Sequence, residues 1–258
     1  MRKTSDPESD AVGVLDRMTA ILEAFDEDDH GLRLSDLAAR AALPKSTVSR
    51  LVSTLVRERY LERDGRVIHL GLRLFELGQL ADQPRELRAA ALPIMADLRN
   101  RTGETVSLAI RDGREMVCIA LVRGLAAAKP TSRIGGRFPT HATALGKAVL
   151  AFTEGADADV VASSKLTPWT SHTIIDPERL VRELSEIRHR GLAVEVEEFM
   201  DTAAAVASPV FLPSGALAGA ISVSGRAGDF DPEHAGTSVR AAAVALTRRL
   251  ASGAIAAN

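Results

Sequence analysis

The sequence predicts an α+β chain in two parts: a winged helix-turn-helix, then a helix leading into a domain built on an antiparallel sheet. Three observations predict it. Short segments with apolar residues at helical spacing follow one another up to Arg57. An Asp64-Gly65 pair then sits between the β-prone runs YLER and RVIHL, a local hairpin signal. Beyond Gly103, alternating β-prone runs mix with helical stretches, with no internal repeat.

The elements follow in order. Residues 1–10 are polar and contain Pro, Asp and Ser, so a disordered tail is expected. Val14, Leu15, Met18, Ile21, Leu22 and Phe25 mark helix one, with Asp10 as its N-cap and EDDHG as its end. Ser35 is expected to cap a short second helix through Arg40, and Pro44 suits the first position of the next helix, where no N–H is needed. In that third helix Val48, Leu51, Val52 and Leu55 fall at i, i+3, i+4 and i+7, while Ser46, Ser49, Arg50, Ser53 and Arg57 project to the other side.

After the hairpin a helix is expected over Leu72–Ala81, then a linker helix from Pro84 to Arg101, kinked at Pro93 and ended by Gly103. TVSLAI and EMVCIAL flank Arg111-Asp112-Gly113-Arg114 as a hairpin. Helices are predicted from Ala142 to Phe152 and from Pro177 to His189, the latter capped by Asp176 and stopped by Gly191. Strands resume at LAVEVE, AAVASPVFL and ALAGAISVS, before a helix opened by Asp231-Pro232. The expected divisions are a tail at 1–10, the winged helix at 11–82, the linker helix at 83–102 and the sheet domain at 103–258.

The chain has 258 residues and a formal charge of −2, which argues against a protein that coats nucleic acid but leaves room for a basic face. Its single cysteine, Cys118, cannot form an intrachain disulfide, and no cysteine cluster offers a zinc site, so the composition suits a reducing cytoplasm. No run approaches the ~20 apolar residues of a membrane span. No metal site and no cofactor is expected, since the histidines show no paired ligand spacing.

Charge is locally concentrated. Between residues 33 and 66, Arg33, Arg40, Lys45, Arg50, Arg57, Arg59, Arg63 and Arg66 face only Asp36, Glu58, Glu62 and Asp64. A recognition helix needs short polar side chains near its N-terminus, so that backbone approaches the major groove, and arginines that reach phosphate or guanine. Ser35, Lys45, Ser46, Thr47, Ser49, Arg50 and Ser53, with Arg63 and Arg66 of the hairpin, are therefore the candidate contacts to a double-stranded DNA operator.

Two rival readings put an enzyme in the second domain or reduce the winged helix to a protein-interaction module. Ser222 has Ala220 where a nucleophile elbow needs glycine, and Cys118 lies in an apolar run. GRFPTHATALGKA is not a phosphate loop, because His141 and Ala148 stand where that motif needs Gly and Ser or Thr. No catalytic residue is assigned.

The stretches LRLSDLAARAALPKSTVSRLVSTLVRERYLER, HLGLRLFELG, TGETVSLAI, GRFPTHATALGKAVLA, TIIDPERL, RGLAVEVEEF and AISVSG span nearly the whole chain in order. In them the sequence resembles the IclR-type transcription regulators. The resemblance implies a GAF-like second domain that binds a small organic effector, and assembly as a homodimer or homotetramer. It also implies that Phe138, Ala144, Leu145, Glu195, Ala203, Ala205, Ser222 and Ser224 border the effector pocket. Where the family usually reads glycine, a hydrophobic residue, arginine and cysteine, this sequence has Thr202, Ala203, Ala204 and Ala205, which predicts a roomier or more apolar pocket.

Overall fold

The structure, a computed structural model, describes residues 13–26, 29–124, 132–162 and 166–256, so the tail and the expected cap Asp10 lie outside the described residues. The chain divides into two compact units between Asp82 and Gln83.

The first unit runs α1 (Val14–Glu23), β1 (Leu32–Arg33), α2 (Leu34–Arg40), α3 (Lys45–Arg57), β2 (Leu61–Asp64), β3 (Val67–Leu70) and α4 (Leu72–Gly78). Its core joins Ile21 of α1, Leu37 and Ala38 of α2, and Val48, Leu51, Val52 and Leu55 of α3 to Leu61 and Ile68 of the hairpin. The i, i+3, i+4, i+7 stripe of α3 is thus its buried face.

Several boundaries differ from the sequence expectation. α1 starts at Val14, where the Gly13 N–H donates to Asp16 Oδ2 at 2.8 Å. Ser35 does not cap α2: the extended Arg33 holds that place, and the Ser35 hydroxyl donates to Asp36 instead. The cause is β1, a strand the sequence pattern did not reveal, whose pairing with β3 (Leu32 opposite Ile68) brings the chain into the helix two residues early. Pro44 is likewise the N-cap of α3 and Lys45 its first residue. The wing turns through Gly65-Arg66, one residue later than the Asp-Gly signal, with Asp64 paired to Val67 and Gly65 at φ +56°.

The second unit contains α5 (Asp82–Thr102), β4 (Thr105–Asp112), β5 (Glu115–Val122), β6 (Arg137–Pro139), α6 (Ala144–Ala151), α7 (Ala156–Ala162), α8 (Pro177–Arg190), β7 (Ala193–Val196), β8 (Ala203–Phe211), β9 (Leu217–Arg226) and α9 (Pro232–Ala256). Pro93 lies inside α5, where it cannot donate to the carbonyl one turn back. Gly103, at φ +75°, ends that helix. α8 begins at the Asp176 cap and stops at the left-handed Gly191, as its sequence predicts.

The sheet is antiparallel in the order β6-β5-β4-β9-β8-β7. Strand alternation gives the sheet two buried faces. Val106, Leu108, Val206, Val210, Ile221 and Val223 pack against Leu87, Met95 and Leu98 of α5 and Val239 and Leu246 of α9. Ala109, Ala207 and Ala220 face the other way, towards α6 and α8. Small residues on that face let α6 approach closely. A Cβ at Gly146 of α6 would lie 2.2 Å from the Thr140 carbonyl.

Candidate functional sites

In the first unit the candidate DNA contacts fall on two pieces. On α3, Ser46, Arg50 and Ser53 are exposed and Ser49 half-buried along one stripe, while Lys45 is exposed and Thr47 half-buried. The Ser53 hydroxyl donates back to the Ser49 carbonyl, so its oxygen remains free to accept. Ser35, Arg63 and Arg66 border a groove between the start of α2 and the wing, together with Arg33, Leu34, Gly65 and Ile68. Ion pairs separate these cations into two sets. Arg40 is paired with Asp29, Arg57 with Glu58 and Arg59 with Glu76. Among the described residues no ion pair is formed by Arg33, Lys45, Arg50, Arg63 or Arg66, which leaves their charge available to an anionic partner.

In the second unit, the eight residues that the family resemblance implicates all border one pocket of about 60 Å³. That volume exceeds the roughly 10–15 Å³ a single water needs by the same kind of measure. Strand register builds its polar floor. Ser222 of β9 stands opposite Ser107 of β4 and Ala207 of β8, and Ser224 opposite Ala205. The Ser107 hydroxyl lies 3.4 Å from that of Ser132. Ala144 and Leu145 come from the first turn of α6, where the Thr143 hydroxyl caps the helix by accepting the Gly146 N–H at 3.1 Å. Phe199 meets Phe138 edge to face at 6.0 Å, and Trp169 packs on Phe199 at 5.0 Å. Ala203, Ala204 and Ala205 line the pocket beside Met200, so the space their short side chains leave is part of the cavity.

Glu195 is buried in this wall. Its Oε2 accepts the Ala144 N–H at 3.1 Å and its Oε1 accepts the Phe199 N–H at 3.2 Å. Burial pushes its carboxyl up to about 7, against the opposing pull of those two N–H groups and of Lys147. Lys147 is wholly buried behind the pocket and reaches Glu183 Oε1 at 2.5 Å and Glu198 Oε1 at 2.6 Å. Burial raises the Glu198 carboxyl as well, with the Lys147 charge opposing.

Sequence reasoning missed Ser107, Ser132, Thr143, Phe199 and Met200 in the pocket wall, and the Lys147 network behind it. The polar–apolar alternation of Thr105, Val106, Ser107 and Leu108 carried the signal for Ser107, but only strand pairing shows that it meets Ser222. Cys118 is buried and its thiol is pushed up to about 11, so near neutrality it is an un-ionised, weakly nucleophilic group.

Comparison with known proteins gives the chain's relatives. Residues 14–65 match the IclR helix-turn-helix domain, and residues 80–248 match the C-terminal domain of the bacterial transcriptional regulator IclR. The HTH-type transcriptional regulator XynR of Escherichia coli K12 is 32% identical over 242 residues, covering 92% of this chain and 96% of that protein. The HTH-type transcriptional repressor AllR of the same strain is 30% identical, over 82% and 79%. An IclR homolog from Microbacterium hydrocarbonoxydans, solved in complex with 4-hydroxybenzoate, superposes with a TM-score of 0.84 at 29% identity, over 92% of this chain and 99% of that one. The Thermotoga maritima IclR gives 0.77 at 29% identity, over 92% and 98%. With both halves matched in order, the chain belongs to the IclR family of DNA-binding bacterial transcriptional regulators.

Proposed function

We propose that residues 11–82 read an operator through Lys45, Ser46, Thr47, Ser49, Arg50 and Ser53, with Ser35, Arg63 and Arg66 holding phosphates beside them. Residues 83–102 link this unit to residues 103–258, which bind a small organic effector and join copies of the chain. Effector occupancy changes operator affinity, and the protein works in the cytoplasm as a regulator without catalytic activity of its own. The observation that carries this reading is the division of features between the units. Cations without acidic partners stand on α3 and the wing. A pocket of hydroxyl, aromatic and methyl groups stands in the other unit. The 4-hydroxybenzoate bound by the Microbacterium homolog supports a small organic ligand.

Assembly as a homodimer is supported by α4. It buries none of its residues, and Leu72, Phe75 and Leu77 are 57%, 62% and 43% exposed. Leu72 and Phe75, at i and i+3, share an uncovered face of this seven-residue helix, and such a face gains stability from a partner surface. A second copy supplies that surface with the two-fold symmetry that a palindromic operator requires.

The test is to map the genomic sites cross-linked to the protein and then measure binding of the purified full chain to the strongest site with metabolites of the neighbouring pathway added. A sharp site whose affinity changes with one metabolite is expected. Sequence-blind binding alone overturns the operator reading; a sharp site indifferent to every metabolite overturns the effector reading.

A further inference from the structure

The pocket has two walls carried by different elements. Ala144 and Leu145 belong to the first turn of α6, whereas Phe199 and Met200 belong to the loop between β7 and β8. That loop is held under strain: Glu197 and Thr202, at its two ends, both have left-handed backbone, at φ +57° and +65°. Such conformations cost non-glycine residues free energy and persist only where surroundings impose them. The Thr170 and Thr173 hydroxyls donate to the Glu197 and Glu198 carbonyls at 2.5 and 2.6 Å, which fixes the backbone at one end of the loop. They do not tie it to α6.

Two contacts make that connection. One is Glu195, which accepts N–H groups from both walls. The other is Lys147, one turn along α6 from Ala144, whose fully buried ammonium grips the Glu198 carboxylate. A buried ion pair is a poor device for stability alone, because well-packed apolar residues commonly do as well or better. Here the pair is also imperfect, since the buried Glu198 Oε2 has no hydrogen-bond partner among the described residues. What it supplies that methyl groups cannot is direction and a fixed spacing. The second carboxylate, Glu183 of α8, completes the clamp from behind.

Resting on the reading of this pocket as the ligand site, we propose that Lys147 is a positioning residue that sets the separation of the two pocket walls by holding Glu198, and through it Phe199 and Met200, against α6.

Trp169 makes this measurable without knowing the ligand. It is the only tryptophan in the chain and packs on Phe199. Full-length protein labelled with 5-fluorotryptophan therefore gives one reporter ¹⁹F resonance on the loop wall. Lys147→Met leaves two carboxylates facing each other and lowers stability. The double variant Lys147→Met/Glu198→Met removes the charge from the Lys147–Glu198 contact and is expected to recover much of the melting temperature. In both, the Trp169 resonance is expected to shift or split as the loop leaves α6. Leu246→Ala, a cavity in the opposite core layer, should lower the melting temperature and leave the resonance in place.

A Trp169 resonance unchanged in the folded double variant overturns the proposal, as does an equal shift in Leu246→Ala. Failure of the effector reading looks different: operator binding would ignore all metabolites while the Lys147 variants still moved Trp169.

Discussion

At the scale of single residues, Glu195 makes the most direct prediction. Below its ordinary value of 4.5 the carboxyl is protonated in folded and unfolded chains alike, and the burial preference for the neutral form contributes in full. As pH rises the unfolded chain releases its proton first, so stability falls until the folded carboxyl, at about 7, has ionised too. The loss is on the order of 3 kcal/mol from a displacement of this size. Glu195→Gln cannot ionise and should flatten the stability profile between pH 4.5 and 7, as followed by urea denaturation. Its amide nitrogen must meet one of the two N–H groups that the carboxylate accepts, so about 1 kcal/mol should be lost at acid pH. A profile as steep as that of the wild type would move the titration to another group. The residues around Glu195 were legible unequally. Those that the family resemblance implicates all stand in one pocket. Ser107 and Phe199 were not legible, because their place depends on a strand pairing and a loop path that periodicity does not encode.

Among elements, α3 was read almost completely, since a single helix states its buried stripe through its own spacing. Arg50 projects from the exposed side of that helix without an ion pair. Arg50→Ala should weaken operator binding by about 1–3 kcal/mol if the guanidinium reads a base, with specificity relaxed at one position, and anisotropy titrations against single-base operator variants would show it. Equal weakening on every sequence would assign Arg50 to phosphate instead. The loop from Glu197 to Thr202 was legible at one point only. Its glycine-to-threonine departure from the family pattern falls where the backbone is left-handed, at φ +65°. The exposed Thr202 side chain packs on little, so Thr202→Gly should relieve strain. Against the greater freedom that glycine gives the unfolded chain, the net gain should be about 0.5–1 kcal/mol in thermal or urea unfolding. A destabilised variant would mean that the threonine methyl or hydroxyl holds the loop. β1, β6 and α7 escaped sequence reasoning: strands of two and three residues are shorter than any alternation that can identify them, and α7, ADADVVA, shows little apolar spacing at helical period.

For the whole molecule the α+β class and the order of parts followed from the sequence, but the sheet order did not. β4 pairs with β9 across more than a hundred residues, and nothing local announces that contact. The same distinction between local and distant governs DNA binding. The net charge of −2 gives no general attraction to DNA, so affinity has to come from the cations of α3 and the wing. If Arg63 and Arg66 each neutralise one phosphate, a dimer neutralises about four, and log affinity should fall with log salt at a slope of about −4. A monomer should give about half that slope. Phe75→Glu places a charge on the exposed apolar face of α4 and should convert the dimer to monomer in sedimentation. The same variant should halve the salt slope while leaving α3 and the wing intact. Were Phe75→Glu to remain dimeric with the full slope, copies would be joined through another surface. Were the wild type to show the monomer slope already, each copy would engage its half-site alone. Measuring slope and mass on the same two proteins separates these cases, because one reports the phosphates engaged and the other the copies present.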